Sequence, residues 1–402
     1  MKILMLGWEL PPYNSGGLGI ACYQLCKALS KKSEIDIEFI LPYEADHGVD
    51  FMKVTSATNQ DVDDFLLSGS AYDSNYFLQV NSKHNLLDMH DQQSLYEHAV
   101  TRIADANEYD IVHAHDWLTF SAAIRLKRDK KWPIILHVHS VESDRAGSKI
   151  GNPLVMEIES TAFHMADRII AVSERTKRSI IEDYDIPADK IEVIHNSIDV
   201  SNIQTLEGEN AYKYVTLMKR HGYRVVVNVG RLTVQKGLPN LLHAAKKVVE
   251  KVPKTIFLIV GSGEQYNELI ELAADLGIGD NVLFADFQRG KNWRDTFSIG
   301  DLFVMPSISE PFGLTPLEAI GFGTPALVSK QSGISEVLKN CLKVDFWDID
   351  EMANKISGVM LSDALRDELW INSYKEFDKL SWHEASVKVV ELYKSHSIGA
   401  VA

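Results

Sequence analysis

The sequence is poor in cysteine, in positive charge and in long apolar runs, and each shortage excludes a class of protein. Cys22, Cys26 and Cys341 are too few for a disulfide framework and lack zinc-motif spacing, so we interpret them as packing residues. Basic residues number 41 against 56 acidic ones, and the net charge of -15 opposes nonspecific nucleic-acid binding. No run approaches the roughly 20 apolar residues of a membrane span, and the N-terminus lacks a signal-peptide pattern. We therefore expect a cytoplasmic enzyme without an integral membrane segment.

What the sequence contains is an alternation of strand-like and helix-like segments in two successive halves. The strand-like runs begin at Ile3, Ile35, Asp110, Ile134, Arg168 and Ile191 in the first half, and at Arg224, Thr255, Asn281, Asp301 and Pro325 in the second. Such alternation predicts parallel sheets with helices on both faces. We predict two Rossmann-like, doubly wound α/β domains at 1–200 and 223–379, a polar linker at 201–222, and a C-terminal helix in 380–402 for which return to the first domain is one option. Residues 46–97 are irregular and polar, which indicates loops.

Three glycines stand where the first strand gives way to a helix, in the segment YNSGGLGIACYQ. Free backbone N–H groups and the helix dipole favour an anion at such a position, and glycine lets a phosphate approach the main chain. Gly16, Gly17 and Gly19 therefore predict a phosphate-binding loop. The alternative is a tight turn that needs positive φ, which is the commoner meaning of a glycine loop taken alone.

Two cations occupy the corresponding position in the second half. Arg231 follows a predicted strand directly after Gly230, and Lys236 stands before Gly237 at the start of the next helix. Ligands of parallel sheets bind beyond the carboxyl ends of the strands, so this pair is placed to hold a diphosphate. The alternative for either residue alone is a solvated loop cation.

Two carboxylates follow in the segment SISEPFGLTPLEAIGFGTP. Thr315 and Glu318 have the spacing of a capping box, with Pro316 at the first helical position, so Glu318 has a structural explanation. Glu310 lies outside that helix. The helix start would present backbone N–H groups to an anion or a polar sugar, namely those of Gly313, Leu314 and Thr315.

The motifs GGLG, HAHDW, GRLTVQKG and EPFGLTPLEA, in this order and at these distances, resemble those of glycosyltransferase family 4. The resemblance spans nearly the whole chain. It implies the GT-B fold, in which two Rossmann-like domains face a central cleft, and a retaining mechanism. It also implies transfer of a sugar from a nucleotide diphosphate donor, held mainly by the C-terminal domain, to an acceptor held mainly by the N-terminal domain. No metal is then required.

The resemblance also implies roles for the phosphate-side residues. Backbone amides of Gly16 and Gly17 would meet the donor diphosphate. Arg231 and Lys236 would neutralise the charge that grows as the diphosphate leaves, which is commonly the largest catalytic contribution. Phe287 lies where the family binds the base of the donor.

Further roles concern the sugars. Glu310 would contact the donor sugar near the reacting carbon, and Glu318 would bind the ribose hydroxyls. His139, at the end of the strand IILHVH, would lie beside the donor sugar. Asp116 and Trp117, in HAHDW, would lie on the acceptor side.

Within the family, WELPP followed by GGLG, together with HAHDW, is similar to glycogen and starch synthases. This favours glucose transfer from UDP-glucose or ADP-glucose to a glycan or other hydroxyl acceptor. Two positions depart from the pattern. Asn14 and Ser15 stand where bacterial ADP-glucose-dependent synthases have Lys-Thr, and Glu318 stands where those synthases commonly have tyrosine.

Two alternatives come from different functional classes. His113 and His115 alternate on one strand, and His137 and His139 on another, so with Asp116 they could bind zinc for a metal-dependent hydrolysis. The simpler interpretation of these histidines is hydrogen-bonding residues at strand ends that face water. The second alternative is a non-catalytic glycan-binding relative of the same fold.

Overall fold

The chain forms two compact units. Unit 1 comprises Met1–Ser197 and Trp382–Ala402, and unit 2 comprises Ile198–Ser381. The computed structural model describes residues 1–14, 16–58, 89–199 and 208–397. Parts of two predicted segments, the irregular region 46–97 and the linker 201–222, therefore lie outside the described residues.

Unit 1 is built on a sheet of seven parallel strands in the order β3-β2-β1-β4-β5-β6-β7. The strands are Lys2–Leu6 (β1), Asp36–Leu41 (β2), Lys53–Ser56 (β3), Ile111–His115 (β4), Ile134–Val138 (β5), Arg168–Ala171 (β6) and Ile191–Val193 (β7). Strands β4 and β5 are buried along their whole length, as expected where helices cover both faces of a parallel sheet. Within the described residues, its helices before the C-terminal one are Gly17–Leu29 (α1), Met89–Asp105 (α2), Trp117–Lys130 (α3), Glu142–Ala146 (α4), Pro153–Met165 (α5) and Glu174–Tyr184 (α6).

Unit 2 is built on a sheet of six parallel strands in the order β10-β9-β8-β11-β12-β13. The strands are Arg224–Val229 (β8), Thr255–Val260 (β9), Val282–Ala285 (β10), Leu302–Met305 (β11), Ala326–Ser329 (β12) and Leu342–Val344 (β13). The helices are Lys213–Arg220 (α7), Leu238–Lys251 (α8), Tyr266–Asp275 (α9), Gly290–Ser298 (α10), Thr315–Gly321 (α11), Ile334–Val337 (α12), Ile349–Leu361 (α13) and Asp363–Phe377 (α14). The predicted doubly wound α/β architecture is confirmed.

The C-terminal helix, Trp382–His396 (α15), packs on unit 1. Val389 and Tyr393 are fully buried in the core of that unit, and the Tyr393 hydroxyl lies 2.5 Å from His113 Nδ1. At the surface, Lys394 Nζ lies 3.2 Å from a carboxylate oxygen of Glu34. The helix thus covers strand β4 with both apolar and polar contacts.

Three elements were not predicted. Strand β13 has three residues and strand β3 has four, which is too short for an alternation to show. Helix α7 lies inside the range predicted as linker, and its Lys219 contacts Asp301 at 3.2 Å within unit 2. The three cysteines are free and buried, which confirms their interpretation as packing residues. Within the described residues, no helix combines the length and apolar character that crossing a membrane requires.

Both sheets reverse their strand order at one place. Strand β1 lies between β2 and β4, and strand β8 lies between β9 and β11. In open parallel sheets, ligands bind beyond the carboxyl ends of the strands at this switch point. The loops that follow β1 and β4 in unit 1, and β8 and β11 in unit 2, are therefore the places to look for a site.

Candidate active site

The loop after β8 carries Arg231 and Lys236 and touches the loop after β9 through the main chain. A Cβ atom on Gly261 would lie 1.8 Å from the carbonyl oxygen of Gly230, so only glycine allows this approach. The contact fixes the strand exit from which both cations project. Sequence reasoning did not assign Gly261 to the site, although GSG directly after an apolar strand was the available signal.

Lys236 and Glu310, which were predicted from separate motifs, form an ion pair at the exits of β8 and β11. Lys236 Nζ lies 2.6 Å from Glu310 Oε2, and Ser307 Oγ donates to the same oxygen at 3.1 Å. The two side chains are 20% and 11% exposed, so an incoming ligand can reach them. The ammonium keeps further N–H donors for an anion. Arg231 lies on the same loop, with Nη2 3.4 Å from Gln235 Oε1.

Glu318 on α11 is buried and has no protein partner. Its exposure is 7%, and among the described residues no hydrogen bond or ion pair reaches its carboxyl group. Burial raises the pKa of this group to about 8, so at neutral pH it is mostly protonated. Its oxygens are not fully shielded from solvent, so with no partner among the described residues they are available to hydrogen-bond with a ligand.

The predicted capping box around Glu318 is wrong. Helix α11 begins at Thr315, its N-cap is Leu314 with helical dihedral angles, and no side chain caps it. Pro316 is therefore the second helical residue, and Glu318 lies one position too far along the helix to bond back to the cap. Gly313, with a φ of 97°, makes the turn into the helix instead. With the capping role gone, the structural explanation for Glu318 is lost.

Phe287, in the predicted base-binding loop, follows the outer strand β10. Its ring is 48% exposed, and the Arg289 guanidinium carbon lies 4.9 Å from the ring centroid. Strand β10 is two positions from β8 in the sheet, which corresponds to about 10 Å. This spacing is compatible with a nucleoside that extends from a diphosphate near β8.

In unit 1, the glycine loop already holds a carboxylate from the same chain. Gly16 is the N-cap of α1 with extended backbone, and the N–H group of Gly19 donates to Glu9 Oε1 at 3.2 Å. Asn14 Nδ2 donates to the carbonyl oxygen of Gly16 at 2.9 Å. One amide of the predicted phosphate loop is thus occupied, and Gly16 and Gly17 remain the predicted phosphate contacts. Glu9 lies in the WELPP segment, but sequence reasoning gave it no role, because nothing local shows that its carboxylate reaches the glycine loop.

His139 follows β5 and is bonded through its backbone to Asp116. The N–H groups of His139 and Ser140 donate to Asp116 Oδ1 at 2.6 and 3.3 Å. Asp116 has a φ of 58° and is 3% exposed. Burial raises the pKa of its carboxyl group to about 7, against the opposing effects of the Arg145 charge and the two N–H donors. The structure therefore brings Asp116 and His139 together, with the carboxylate turned towards the strand exit.

Trp117, the first residue of α3, lies in the core of unit 1. It is 1% exposed, and the guanidinium carbon of Arg145 lies 5.9 Å from its ring centroid. A direct contact between this ring and an acceptor, as the sequence predicts, would require the ring to move.

The four histidines of β4 and β5 form a buried stack. Neighbouring ring centroids lie 4.4 Å (His137 and His139) to 5.4 Å (His113 and His137) apart, and exposure is at most 9%. The interpretation that these histidines face water is therefore wrong. Burial lowers the pKa of each ring, to about 3 for His139, so the stack is neutral.

The ring nitrogens of this stack bind one another. His115 Nδ1 lies 3.0 Å from His139 Nε2, and His113 Nε2 lies 3.3 Å from His137 Nδ1. Possible ligand atoms of His115, His139 and Cys22 lie within 4.8 Å of one another. The same holds for His113, His115 and His137. All of these groups are buried and their ring nitrogens are engaged in pairs, so this geometry does not favour a catalytic metal centre with an open position.

Two family models match the chain. The model described as Glycosyltransferase Family 4 matches residues 15–202, and the model described as Glycosyl transferases group 1 matches residues 216–376. The first match contains the glycine loop and the histidine strands. The second contains the Lys236 and Glu310 pair and Glu318.

Full-length relatives agree with these models. An uncharacterised glycosyltransferase of Methanocaldococcus jannaschii is 28% identical over 98% of both chains. The glycogen synthase of Mycobacterium tuberculosis is 27% identical over 85% of this chain and 80% of its own. The structure of Anabaena Alr3699/HepE in complex with UDP-glucose matches with a TM-score of 0.73 at 20% identity, over 98% of this chain and 100% of that chain. The chain belongs to the family 4 glycosyltransferases and has the GT-B fold.

Proposed function

We propose that the chain is a retaining hexosyltransferase that moves glucose from a nucleoside diphosphate sugar to a hydroxyl group of a glycan or small acceptor. The observation that carries this proposal is the Lys236–Glu310 ion pair together with Glu318 on the segment that follows β11, whose carboxyl group has no partner among the described residues. An ammonium with spare N–H donors suits a diphosphate. A carboxyl group without a protein partner suits the two hydroxyl groups of a ribose.

In the proposed reaction, the bond between the sugar carbon and the diphosphate oxygen breaks, and a bond to the acceptor oxygen forms. The diphosphate leaves with the electron pair, and the acceptor proton passes to it. Arg231 and Lys236 stabilise the charge that develops on the leaving group, as preorganised donors do in many enzymes. Glu310 holds Lys236 in place and contacts the donor sugar. Phe287 and the N–H groups of Gly313, Leu314 and Thr315 complete the donor contacts.

Unit 1 contributes the acceptor side. His139 is a neutral imidazole in the unliganded protein, so it can donate or accept a hydrogen bond with a sugar hydroxyl. Gly16 and Gly17 offer backbone N–H groups to the diphosphate. Asp116 and Trp117 shape the acceptor side. The reaction is proposed to need no metal ion, because these donors supply the positive charge.

The choice of UDP-glucose or ADP-glucose rests on likeness. A matching solved structure contains UDP-glucose, and one relative is named glycogen synthase, which supports an α-glucan acceptor. Asn14 replaces the lysine of the ADP-glucose-dependent synthases and bonds to its own loop, so it offers no charge to the donor.

The test is a donor screen on the purified chain. UDP-glucose, ADP-glucose and GDP-glucose at millimolar concentration should be compared for thermal stabilisation and for transfer to a glucan or a small glycoside, with and without EDTA. A donor that binds only the native state must raise its melting temperature. The proposal expects stabilisation and EDTA-resistant transfer with at least one donor. Absence of both would contradict it, and glycan binding without transfer would favour the non-catalytic alternative.

A further inference from the structure

The loop that follows β5 is held by a buried charge network with Arg145 at its centre. Arg145 lies on α4, and its side chain is 2% exposed. Its Nε donates to Glu142 Oε2 at 3.1 Å, and its Nη2 donates to Glu159 Oε1 at 2.6 Å. Both carboxylate side chains are 1% exposed. Only the planar fork of a guanidinium can reach several fixed acceptors at once.

The same guanidinium holds the residue that follows His139. Arg145 Nη1 donates to the carbonyl oxygen of Ser140 at 3.0 Å and to Ser140 Oγ at 2.9 Å. Asp116 Oδ1 accepts the N–H groups of His139 and Ser140. The backbone around His139 is therefore bound by two side chains, one from α4 and one from the residue before α3.

The carboxylates that hold Arg145 are anchored in turn. Glu142 Oε1 accepts the N–H group of Asn152 at 2.8 Å. Glu159 Oε2 accepts the N–H group of Glu142 at 3.0 Å and also the hydroxyl of Tyr184. The network thus joins α4, α5 and α6. Buried ion networks are weak guarantees of stability, because desolvation offsets much of the attraction, so conformational control is the better explanation for this one.

We propose that Arg145 is a positioning residue, which fixes His139 by holding Ser140 while Asp116 holds the adjacent N–H groups. The inference rests on the proposed role of His139 beside the donor sugar. In this proposal, Asp116 does not contact the acceptor directly. It holds the backbone that follows β5 by accepting the N–H groups of His139 and Ser140. A displacement of about 1 Å in a reacting group can lower the rate by about a hundredfold, so such a clamp affects catalysis without touching substrate.

The first test is Arg145→Lys, which keeps the buried positive charge and removes the fork. Turnover should fall by about thirtyfold, whereas the Michaelis constant for the donor should change by less than about threefold, because most of the proposed donor contacts are made by unit 2. Arg125→Lys is the matched control. Arg125 pairs with Glu97 at 3.0 Å in the same unit but is 29% exposed, so this variant should keep wild-type turnover.

A double-mutant cycle separates positioning from a general structural role. If Arg145 acts through His139, then Arg145→Lys should lower turnover in the wild-type background but have no further effect in His139→Ala. An equal loss in both backgrounds would overturn the proposal. If Arg145→Lys does not fold, Ser140→Ala removes only the Oγ contact and should lower turnover by about threefold; unchanged turnover would overturn the proposal equally.

Hydrogen exchange tests the same idea without any activity. The N–H groups of His139 and Ser140 should be protected in the wild type and in Arg125→Lys, and should lose protection in Arg145→Lys or Ser140→Ala. Unchanged protection would contradict the clamp. If exchange behaves as expected but the wild type turns over no nucleotide sugar, the clamp stands and the proposed function fails, so the two claims fail separately.

Discussion

The two sheet edges differ in how their polar side chains are satisfied. At the edge of unit 1, the histidine stack, Asp116 and the Arg145 network bind one another and are almost fully buried. At the edge of unit 2, Lys236 and Glu310 form one partly exposed pair, and the carboxyl group of the buried Glu318 has no partner in the part of the chain that the structure describes. Polar groups that satisfy each other build a rigid support. Polar groups that lack partners indicate where a ligand belongs.

The largest effect that we expect is a loss of stability at low pH, which arises from the buried histidines of unit 1. The histidines of the stack have pKa values lowered by burial, and for His113, His115 and His137 also by one another, so the folded state resists protonation down to about pH 3 at His139. The unfolded chain takes up these protons below about pH 6.5. The free energy of unfolding should therefore fall as the pH drops below 6.5, by about 1.4 kcal/mol per pH unit for each histidine.

Urea unfolding at several pH values between 7.5 and 5 measures this slope. His137→Gln should reduce the slope of the free energy of unfolding against pH by the contribution of one histidine, about 1.4 kcal/mol per pH unit. Substitution of the exposed His164 by Gln should leave the slope unchanged. The raised pKa values of Asp116 and Glu318 act in the opposite direction over this range, so the decisive result is the comparison of variants: a slope that His137→Gln leaves unchanged would contradict a neutral buried stack.

The next largest effect concerns the cations of unit 2. Lys236→Ala and Arg231→Ala should each lower turnover by about a hundredfold or more, or about 3 kcal/mol, because each removes a donor to the leaving diphosphate. Lys247→Ala is the control, since Lys247 forms an exposed ion pair with Asp350 at 2.5 Å in the same unit. Steady-state kinetics with the preferred donor decides the matter. Near-normal rates in both site variants would remove these residues from the proposed mechanism.

A smaller effect separates the two glutamates. Glu310→Gln should lower turnover by about thirtyfold. This residue is proposed to contact the donor sugar near the reacting carbon, and an interaction that strengthens in the transition state affects turnover more than binding. Glu318→Gln should instead raise the Michaelis constant for the donor by about tenfold, because ribose hydroxyls bond more weakly to an amide than to a carboxylate. Its melting temperature should change little, since a mostly protonated carboxyl group is replaced by another neutral group. Wild-type turnover in Glu310→Gln, or defects confined to thermal stability, would contradict the assignment.

The sequence predicted the architecture well because apolar periodicity is local. It also predicted that Lys236 and Glu310 serve one site, although only the fold shows that they touch. It failed at Glu318, where T-x-x-E spacing matched a capping box but Gly313 turns the chain into the helix earlier. It could not predict the role of Arg145, because the residues of its network come from three helices and no motif or regular spacing in the sequence connects them. Likewise, HAHDW and HVH indicated grouped histidines without showing that they are buried.

The smallest expected effect is a pH dependence of donor affinity. Burial raises the pKa of Glu318 to about 8. The ribose hydroxyls are proposed to donate to the ionised form of this group. Donor dissociation constants measured by calorimetry should therefore fall about tenfold between pH 7 and pH 9, because the ionised fraction of the carboxyl group rises by about that factor. Glu318→Gln should show no such dependence. A wild-type affinity that is flat across this range would contradict the role of this carboxylate.

The most direct test of the central claim is hydrogen exchange of the whole chain with and without UDP-glucose or ADP-glucose at millimolar concentration. The account predicts new protection in the segments 230–237 and 307–318 of unit 2, which carry the residues proposed to contact the donor. It predicts little change in 137–146 of unit 1, where the backbone N–H groups of His139 and Ser140 are already bonded to Asp116, even though the His139 side chain is proposed to meet a sugar. Protection confined to unit 1, or none with either donor, would contradict the claim that unit 2 holds the donor.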